Sequence, residues 1–205
     1  MNQVKTYNAL KIQGQLDWSL ANPLTDFSYP WNEGKPPAMS FRALWNDEHI
    51  YFRFEVSGSR FLVFEKAHHK MEVVDSDRVE IFFRRDEQLD PYYCLELDPL
   101  SRVLDYKAGY YRQFDFEWHW PGLKDLVVNG MFSEPGYAVE GSATLASLSR
   151  LGLLQNNILE AGLFRGQCLK LPPEPEFKWI SWAKPESSTP DFHIPSAFGR
   201  IVLVS

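Results

Sequence analysis

The sequence predicts an all-β protein, an antiparallel two-sheet β-sandwich of jelly-roll or immunoglobulin-like type with at most one or two short helices. Short runs of alternating apolar and polar residues recur along the 205-residue chain, and turn-forming residues separate them. Aromatic residues, which favour strands, make up 15% of the composition. No shift in composition marks a boundary, so we expect residues 1–205 to form one domain.

Predicted strands follow one another at short intervals. Residues 39–45 and 50–58 flank a polar turn and are predicted to form a hairpin. Residues 145–153 are the best helix candidate, with Gly152 as its stop. Six of the fourteen prolines lie between Pro172 and Pro195, which predicts two long, stiff loops around one strand. The other strand candidates are 78–83, 92–99, 102–108, 158–169, 177–183 and 199–205, with short β-like runs between 117 and 145.

Composition excludes several classes of partner. The net charge is −6 and no basic stripe occurs, which argues against nucleic acid or an anionic membrane as the main partner. No apolar stretch has the length of a membrane span, and the first residues do not resemble a signal peptide, so the chain as given predicts no export. The compartment is left unassigned. Cys94 and Cys168 are compatible with one disulfide or with two free thiols.

Carboxylates on the strand candidates form one possible site. In residues 78–84 the side chains of Val79, Ile81 and Phe83 share a face typical of a core, and an acid and an aromatic lie between two arginines on the other face. If the neighbouring candidates pair with this strand, one sheet carries a polar face made of Arg53, Glu55, Glu80, Arg84, Glu96 and Asp98. Such a face suits cross-strand ion pairs, contacts to a polar ligand, calcium ligation, or a glycosidase acid and base about 5–10 Å apart.

Aromatic residues near the loops suggest stacking against a ligand. Trp179 and Trp182 fall on opposite faces of one strand, and Phe192 lies in the loop that follows. Sugar rings have apolar C–H faces that stack on aromatic rings and polar edges that need charged or amide partners. An aromatic rim above a charged sheet face suits that task, although a core position is at least as plausible for each of these aromatics.

Six stretches of the chain, in order, resemble the family 9 carbohydrate-binding modules and their relatives in the DOMON-like sandwich superfamily. The resemblance covers residues 10–203 and is carried by IQGQLDWSLA (12–21), LWNDEHIYFRFEV (44–56), DSDRVEIFF (75–83), YYCLELDPLSRVLD (92–105), YAVEGSATLASLSRLG (137–152) and the segment 179–203. It implies a β-sandwich that binds xylan- or glucan-type chains without catalysis. It also implies association with a polysaccharide-degrading enzyme, such as a glycoside hydrolase, and structural calcium ions.

Only some of the ligand-binding residues of the family are matched at the corresponding positions of this sequence. Family members hold the end of a sugar chain between two tryptophans, and the first of these positions is Val74 here, while the second is closest to Phe192. The acid of the family's central strand is matched by Glu80, and Glu96 and Asp98 stand where the family has an arginine and an amide.

The leading prediction is a non-catalytic binder of oligosaccharide or polysaccharide. The predicted ligand-binding residues are Glu80, Glu96, Asp98 and Arg53 for polar contacts, and Trp182 and Phe192 for stacking. No catalytic residue and no metal ligand is assigned.

Three alternatives stay open at this point. The first is a glycoside hydrolase that uses a pair among Glu80, Glu96 and Asp98. The second is a haem-binding relative, because Met71 lies near His68 and His69. The third is a scaffold domain whose sugar site is lost, which the valine at the tryptophan position suggests.

Overall fold

Thirteen strands and one α-helix make up the regular structure of residues 4–205, the part of the chain that the computed structural model describes. In order, the elements are β1 (Thr6–Lys11), β2 (Met39–Trp45), β3 (His49–Ser57), β4 (Arg78–Arg84), β5 (Tyr92–Leu97), β6 (Val103–Gly109), β7 (Gln113–Asp115), β8 (Leu126–Phe132), β9 (Gly136–Thr144), α1 (Leu145–Arg150), β10 (Leu154–Gln155), β11 (Ile158–Lys170), β12 (Glu176–Ser181) and β13 (Gly199–Val204). Short 3₁₀ turns lie at Trp18–Leu20, Lys70–Asp75 and Pro195–Ala197.

The strands form one continuous sheet that curls into two halves. We call β7-β6-β5-β4-β11, with β12 and β10 on β11, the first half-sheet, and β2-β3-β9-β8 the second. β13 and β1 join them, through the parallel pairings β13–β1 and β1–β2. The predicted all-β sandwich is confirmed, and β1 and its two parallel contacts are additions that the alternation pattern did not predict.

The main core lies between the two half-sheets. Val79, Ile81 and Phe83 of β4 belong to the same buried cluster as Phe52 and Phe54 of β3, so the predicted core face of residues 78–84 is confirmed. Burial of such apolar faces stabilises a sandwich by roughly 25 cal/mol per Å².

A buried polar network crosses this core. The Asp77 carboxylate accepts hydrogen bonds from Arg165 Nε and Nη2, each at 2.9 Å, and from the Tyr137 hydroxyl at 2.7 Å. Arg165 is fully buried, so its charge depends on Asp77 for compensation.

The outer face of the first half-sheet is also covered. A second apolar cluster, which includes Phe82, Phe164 and Phe192, lies there beneath the loop after β12. All seven residues of β4 are therefore buried, and the face that carries Glu80 and Phe82 is not a solvated sheet surface.

Two local predictions, a hairpin and a helix, agree with the structure. The predicted hairpin is β2–β3, and the predicted helix is α1, which ends shortly before Gly152 at φ +73°. Cys94 and Cys168 are both free and buried. No helix among residues 4–205 is long and apolar enough to cross a membrane.

Candidate functional site

A cavity of about 80 Å³ lies over the outer face of the first half-sheet. β4 and β5 form its floor, β12 forms one wall, and three irregular segments form the rest. The floor residues are Arg78, Glu80, Phe82 and Glu96, and the wall and rim residues are Trp31, Arg112, Trp179, Pro190, Asp191, Phe192 and His193.

One arginine lies between two acids on the floor. Glu80 and Glu96 are directly opposite each other on the antiparallel strands β4 and β5. Arg78 Nε lies 3.0 Å from Glu80 Oε1 and also contacts Glu96 Oε2. The two carboxyl oxygens thus lie at ion-pair distance from Nε, and within residues 4–205 none of these three buried atoms makes a hydrogen bond of regular geometry. The Tyr106 hydroxyl donates to the other Glu96 oxygen at 3.0 Å.

Burial sets the protonation of the floor. Burial first, and then the neighbouring Glu96, raise the pKa of Glu80 to about 8, although Arg78 opposes the rise. Burial also lowers the pKa of Arg78, but the attraction of Glu96 and Glu80 outweighs this, so the net pKa is raised and the guanidinium stays charged. At pH 7 the floor thus presents a mostly protonated Glu80 carboxyl group beside a guanidinium.

The walls are aromatic. The Phe192 ring stacks on Phe164 at 4.0 Å and 12°, which fixes the loop after β12 against the sheet. Trp31 and Trp179 lie 5.4 and 5.8 Å from the Phe192 ring on the cavity side. Trp179 also lies 5.3 Å from the Arg78 guanidinium carbon, so this wall and the charged floor are in contact.

A buried acid organises the rim. Asp191 accepts from the His193 backbone N–H at 2.9 Å, from Arg112 Nη2 at 3.4 Å and from the Tyr111 hydroxyl. Burial, together with Arg112, lowers the pKa of His193 to about 4, so this ring is neutral at pH 7. Its Nδ1 atom lies 2.9 Å from the Tyr92 hydroxyl.

Three of the six predicted ligand-binding residues lie together in this cavity: Glu80, Glu96 and Phe192. Asp98 is buried in a neighbouring corner instead, where its Oδ2 atom accepts from Arg102 Nε at 2.8 Å. The same guanidinium donates to Glu72 Oε2 at 2.9 Å and to the Phe64 carbonyl at 2.7 Å.

Arg53 and Trp182 lie elsewhere. β3 pairs with β2 and β9 rather than with β4 or β5, so the predicted polar face shared by Arg53 and Glu80 is wrong. Arg53 pairs instead with Glu140 at 2.9 Å on the second half-sheet. Trp182 is 1% exposed within the main core, and Trp179, on the opposite face of the same segment, lines the cavity.

The remaining cavity residues were not predicted as ligand-binding residues, although the alternation pattern gave the strand face of two of them. Arg78 shares a strand face with Glu80, and Trp179 was placed opposite Trp182. Trp31, Arg112, Asp191 and His193 lie in irregular segments, where no periodicity indicates which way a side chain points.

The residues considered for haem or metal do not converge. His68 and His69 are exposed, and His69 Nδ1 accepts from the Met71 backbone N–H at 3.2 Å as a local cap. Among residues 4–205, no group of three or more His, Cys, Asp or Glu side chains is arranged to hold a metal ion. Calcium also takes backbone and amide oxygens, so structural calcium stays a prediction.

Solved structures share this fold over nearly the whole chain. A candidate carbohydrate-binding protein from Bacteroides uniformis ATCC 8492 has a TM-score of 0.69 and 16% identity, over 98% of this chain and 100% of that one. A family 9 carbohydrate-binding module from Caldicellulosiruptor kristjanssonii in complex with glucose has a TM-score of 0.56 and 16% identity, over 98% and 96%. The structure of a module from the same organism with cellotriose has a TM-score of 0.56 and 14% identity, over 97% and 93%.

The comparison with protein-family models agrees with the resemblance, and the comparison with curated proteins does not bear on it. No curated protein matches the chain. The model of the carbohydrate family 9 binding domain-like family matches residues 12–205, which is nearly the whole chain. The chain therefore belongs to the carbohydrate family 9 binding domain-like family.

Proposed function

We propose that the cavity over β4 and β5 binds the end of a xylan- or glucan-type saccharide without cleaving it. The observation that carries the proposal is the cavity lining, where the polar groups of Arg78, Glu80 and Glu96 form the floor beneath aromatic walls. Family membership and the glucose and cellotriose bound to similar structures support a sugar as that ligand.

The chemistry of the floor suits sugar hydroxyl groups. Each hydroxyl both donates and accepts, and the floor offers the Arg78 guanidinium as a donor, Glu80 as a protonated carboxyl, and Glu96 as an acceptor. Trp31 and Trp179 supply apolar surface for the C–H face of a ring. The small volume of the cavity suits one ring edge rather than a whole chain.

The same geometry favours binding over hydrolysis. Inverting glycosidases separate their carboxyl groups by roughly 6.5–9.5 Å to admit a water molecule, and retaining enzymes leave one carboxylate free as a nucleophile. Here oxygens of Glu80 and Glu96 both contact the Arg78 Nε atom, which fills the space between them. Asp98 is paired with Arg102 outside the cavity. A binder of this kind would act beside a polysaccharide-degrading enzyme, with a glycoside hydrolase as its partner.

Calorimetric titration tests the proposal. Glucose, xylose, cellotriose and xylotriose are titrated into the wild-type protein and into Trp179→Ala. We expect measurable heat with at least one sugar, and a Kd at least about tenfold higher in Trp179→Ala, because removal of an aromatic contact costs about 0.5–1.5 kcal/mol beyond the buried area.

Trp18→Ala is the matched control, since Trp18 lies on the second half-sheet side and bonds Glu140 there. Its Kd should stay within about twofold of wild type. Absence of heat with all four sugars at millimolar concentration would refute the function, and an equal loss in both variants would refute the location.

A further inference from the structure

Residues 110–114 expose three aromatic side chains beside the cavity. Tyr110 and Tyr111 are each 50% exposed, and Phe114 is 36% exposed. Within residues 4–205, Phe132 on β8 is the one other aromatic side chain in the exposed class. Aromatic rings are normally buried because each contributes a large apolar area, so a contiguous exposed group indicates a contact surface.

The turn between β6 and β7 is attached to the cavity wall. The Tyr111 hydroxyl and Arg112 Nη2 both bond Asp191, and the other partner of that carboxylate is the backbone of His193. Asp191, Arg112 and His193 all line the cavity. Tyr111 is therefore held next to the mouth of the cavity, with the Tyr110 ring in contact with the Tyr111 ring, and this preorganisation lowers the entropy cost of binding.

We infer that Tyr110 and Tyr111, which we call the tyrosine shelf, form a second sugar subsite for the ring next to the one held in the cavity. The two ring centroids lie 5.4 Å apart at 63°, so a sugar can lie on one ring and touch the edge of the other. This inference rests on the proposed function and narrows its ligand class to saccharides of two or more residues.

Arg112 gives the shelf a polar edge. Its guanidinium carbon lies 5.7 Å from the centre of the Tyr111 ring, and its side chain is 42% exposed. Asp191 accepts from one of its five donors. The exposed guanidinium has further donors, which would bond hydroxyl groups of a ring on the shelf. An apolar platform with donors at its margin is the arrangement that a pyranose needs, and it differs from a purely apolar protein contact.

The test compares chain lengths rather than absolute affinities. Wild type, Tyr110→Ala, Tyr111→Phe and Phe132→Ala are titrated with glucose, cellotriose, xylose and xylotriose. In wild type we expect a trisaccharide to bind about tenfold more tightly than its monosaccharide. Tyr110→Ala should remove most of this difference by raising the trisaccharide Kd while the monosaccharide Kd stays within about twofold.

The other variants test separately the hydrogen bond that holds Tyr111 and the location of the exposed aromatic ring. Tyr111→Phe keeps the ring and loses the bond to Asp191, so it should lose part of the trisaccharide preference. Phe132→Ala, which removes an exposed aromatic ring from the second half-sheet, should change neither Kd. Thermal melting by circular dichroism checks that all variants are folded.

The outcomes distinguish the two proposals. Equal affinity of wild type for mono- and trisaccharides, or an unchanged preference in Tyr110→Ala, would overturn the shelf and leave the cavity as a one-ring site. An equal rise of both Kd values in Tyr110→Ala would overturn it as well. If no sugar binds the wild-type protein, the proposed function fails, and the shelf fails with it.

Discussion

At the scale of the residue, the cavity floor places two carboxyl groups, those of Glu80 and Glu96, beside a single positive charge, that of Arg78. The Arg78 guanidinium neutralises one carboxylate, and a second ionised carboxylate at the same buried place would leave a net negative charge. Retaining a proton on Glu80 avoids that cost, and its pKa of about 8 expresses this balance. The protonated group is also the state that donates a hydrogen bond, as the proposed contact to a sugar oxygen requires.

This proton makes stability depend on pH in an unusual direction. The pKa of Glu80 is about 8 in the folded chain against 4.5 as its ordinary value, so the folded state binds more protons between these pH values. The stabilising contribution is complete below about pH 4.5 and is lost as pH rises through 8, by at most about 1.4 kcal/mol per pH unit. Urea denaturation at pH 5, 6, 7 and 8 should show this fall in wild type and a flatter profile in Glu80→Gln.

Glu160→Gln is the control for the pH series, because Glu160 pairs with Arg84 and Arg200 outside the cavity. Its profile should run parallel to that of wild type. Parallel profiles for wild type and Glu80→Gln would contradict the assignment of a retained proton to Glu80.

At the scale of the element, the crossing of β8 over the β5–β6 turn brings the two half-sheets into close contact. Gly130 of β8 donates its backbone N–H to Ser101 Oγ at 2.8 Å. A Cβ atom at position 130 would lie 2.1 Å from the carbonyl oxygen of Pro99. The contact therefore requires a residue without a side chain, although its φ is not in the left-handed region.

The substitution Gly130→Ala should destabilise the protein. Within a strand, alanine is ordinarily favoured over glycine by about 0.5–1 kcal/mol, so a loss of stability identifies the steric contact. We expect the free energy of unfolding to fall by about 1–3 kcal/mol, as in other overpacked sites. Asn129→Ala, at the exposed neighbouring position, should stay within about 0.5 kcal/mol, and an equal effect at both positions would refute the contact.

The elements also show how far the sequence could predict the site. Alternation placed Glu80 and Glu96 on one sheet face, and the cross-strand pairing of β4 with β5 brings them together. It placed Trp179 and Trp182 on opposite faces but did not indicate which face is the core, because that follows from the pairing of β12 with β11. Arg53 was misplaced because β4 pairs with β11, a strand about 80 residues later, instead of with β3.

At the scale of the whole molecule, the Asp77 network ties the half-sheets together inside the core. Arg165 lies on β11 of the first half-sheet and Tyr137 on β9 of the second, and both bond the same carboxylate. Both charged residues are fully buried. Such a pair contributes little net free energy over an apolar replacement, but breaking it leaves a buried charge uncompensated.

Asp77→Ala should therefore lower the free energy of unfolding more than removal of both charged residues does. We expect the single variant to lose about 3–5 kcal/mol in the free energy of unfolding. The double variant Asp77→Ala/Arg165→Met, which removes both charges, should recover part of that loss. Guanidinium denaturation of the single and double variants measures the difference, and a double variant that is less stable than the single one would contradict this account.

The Arg102 guanidinium provides the positive charge for the buried cluster of oxygens around Asp98. Carboxylate, carbonyl and hydroxyl oxygens of Asp98, Glu72, Phe64 and Ser76 surround it, a donor set that elsewhere in proteins holds a hard cation. A bound ion exchanges with the medium and is lost when its concentration falls. The Arg102 guanidinium is covalently part of the chain, so neither dilution nor a chelator can remove it. The oxygens around Arg102, and the β5–β6 turn that contacts β8, therefore have their positive charge as soon as the chain folds.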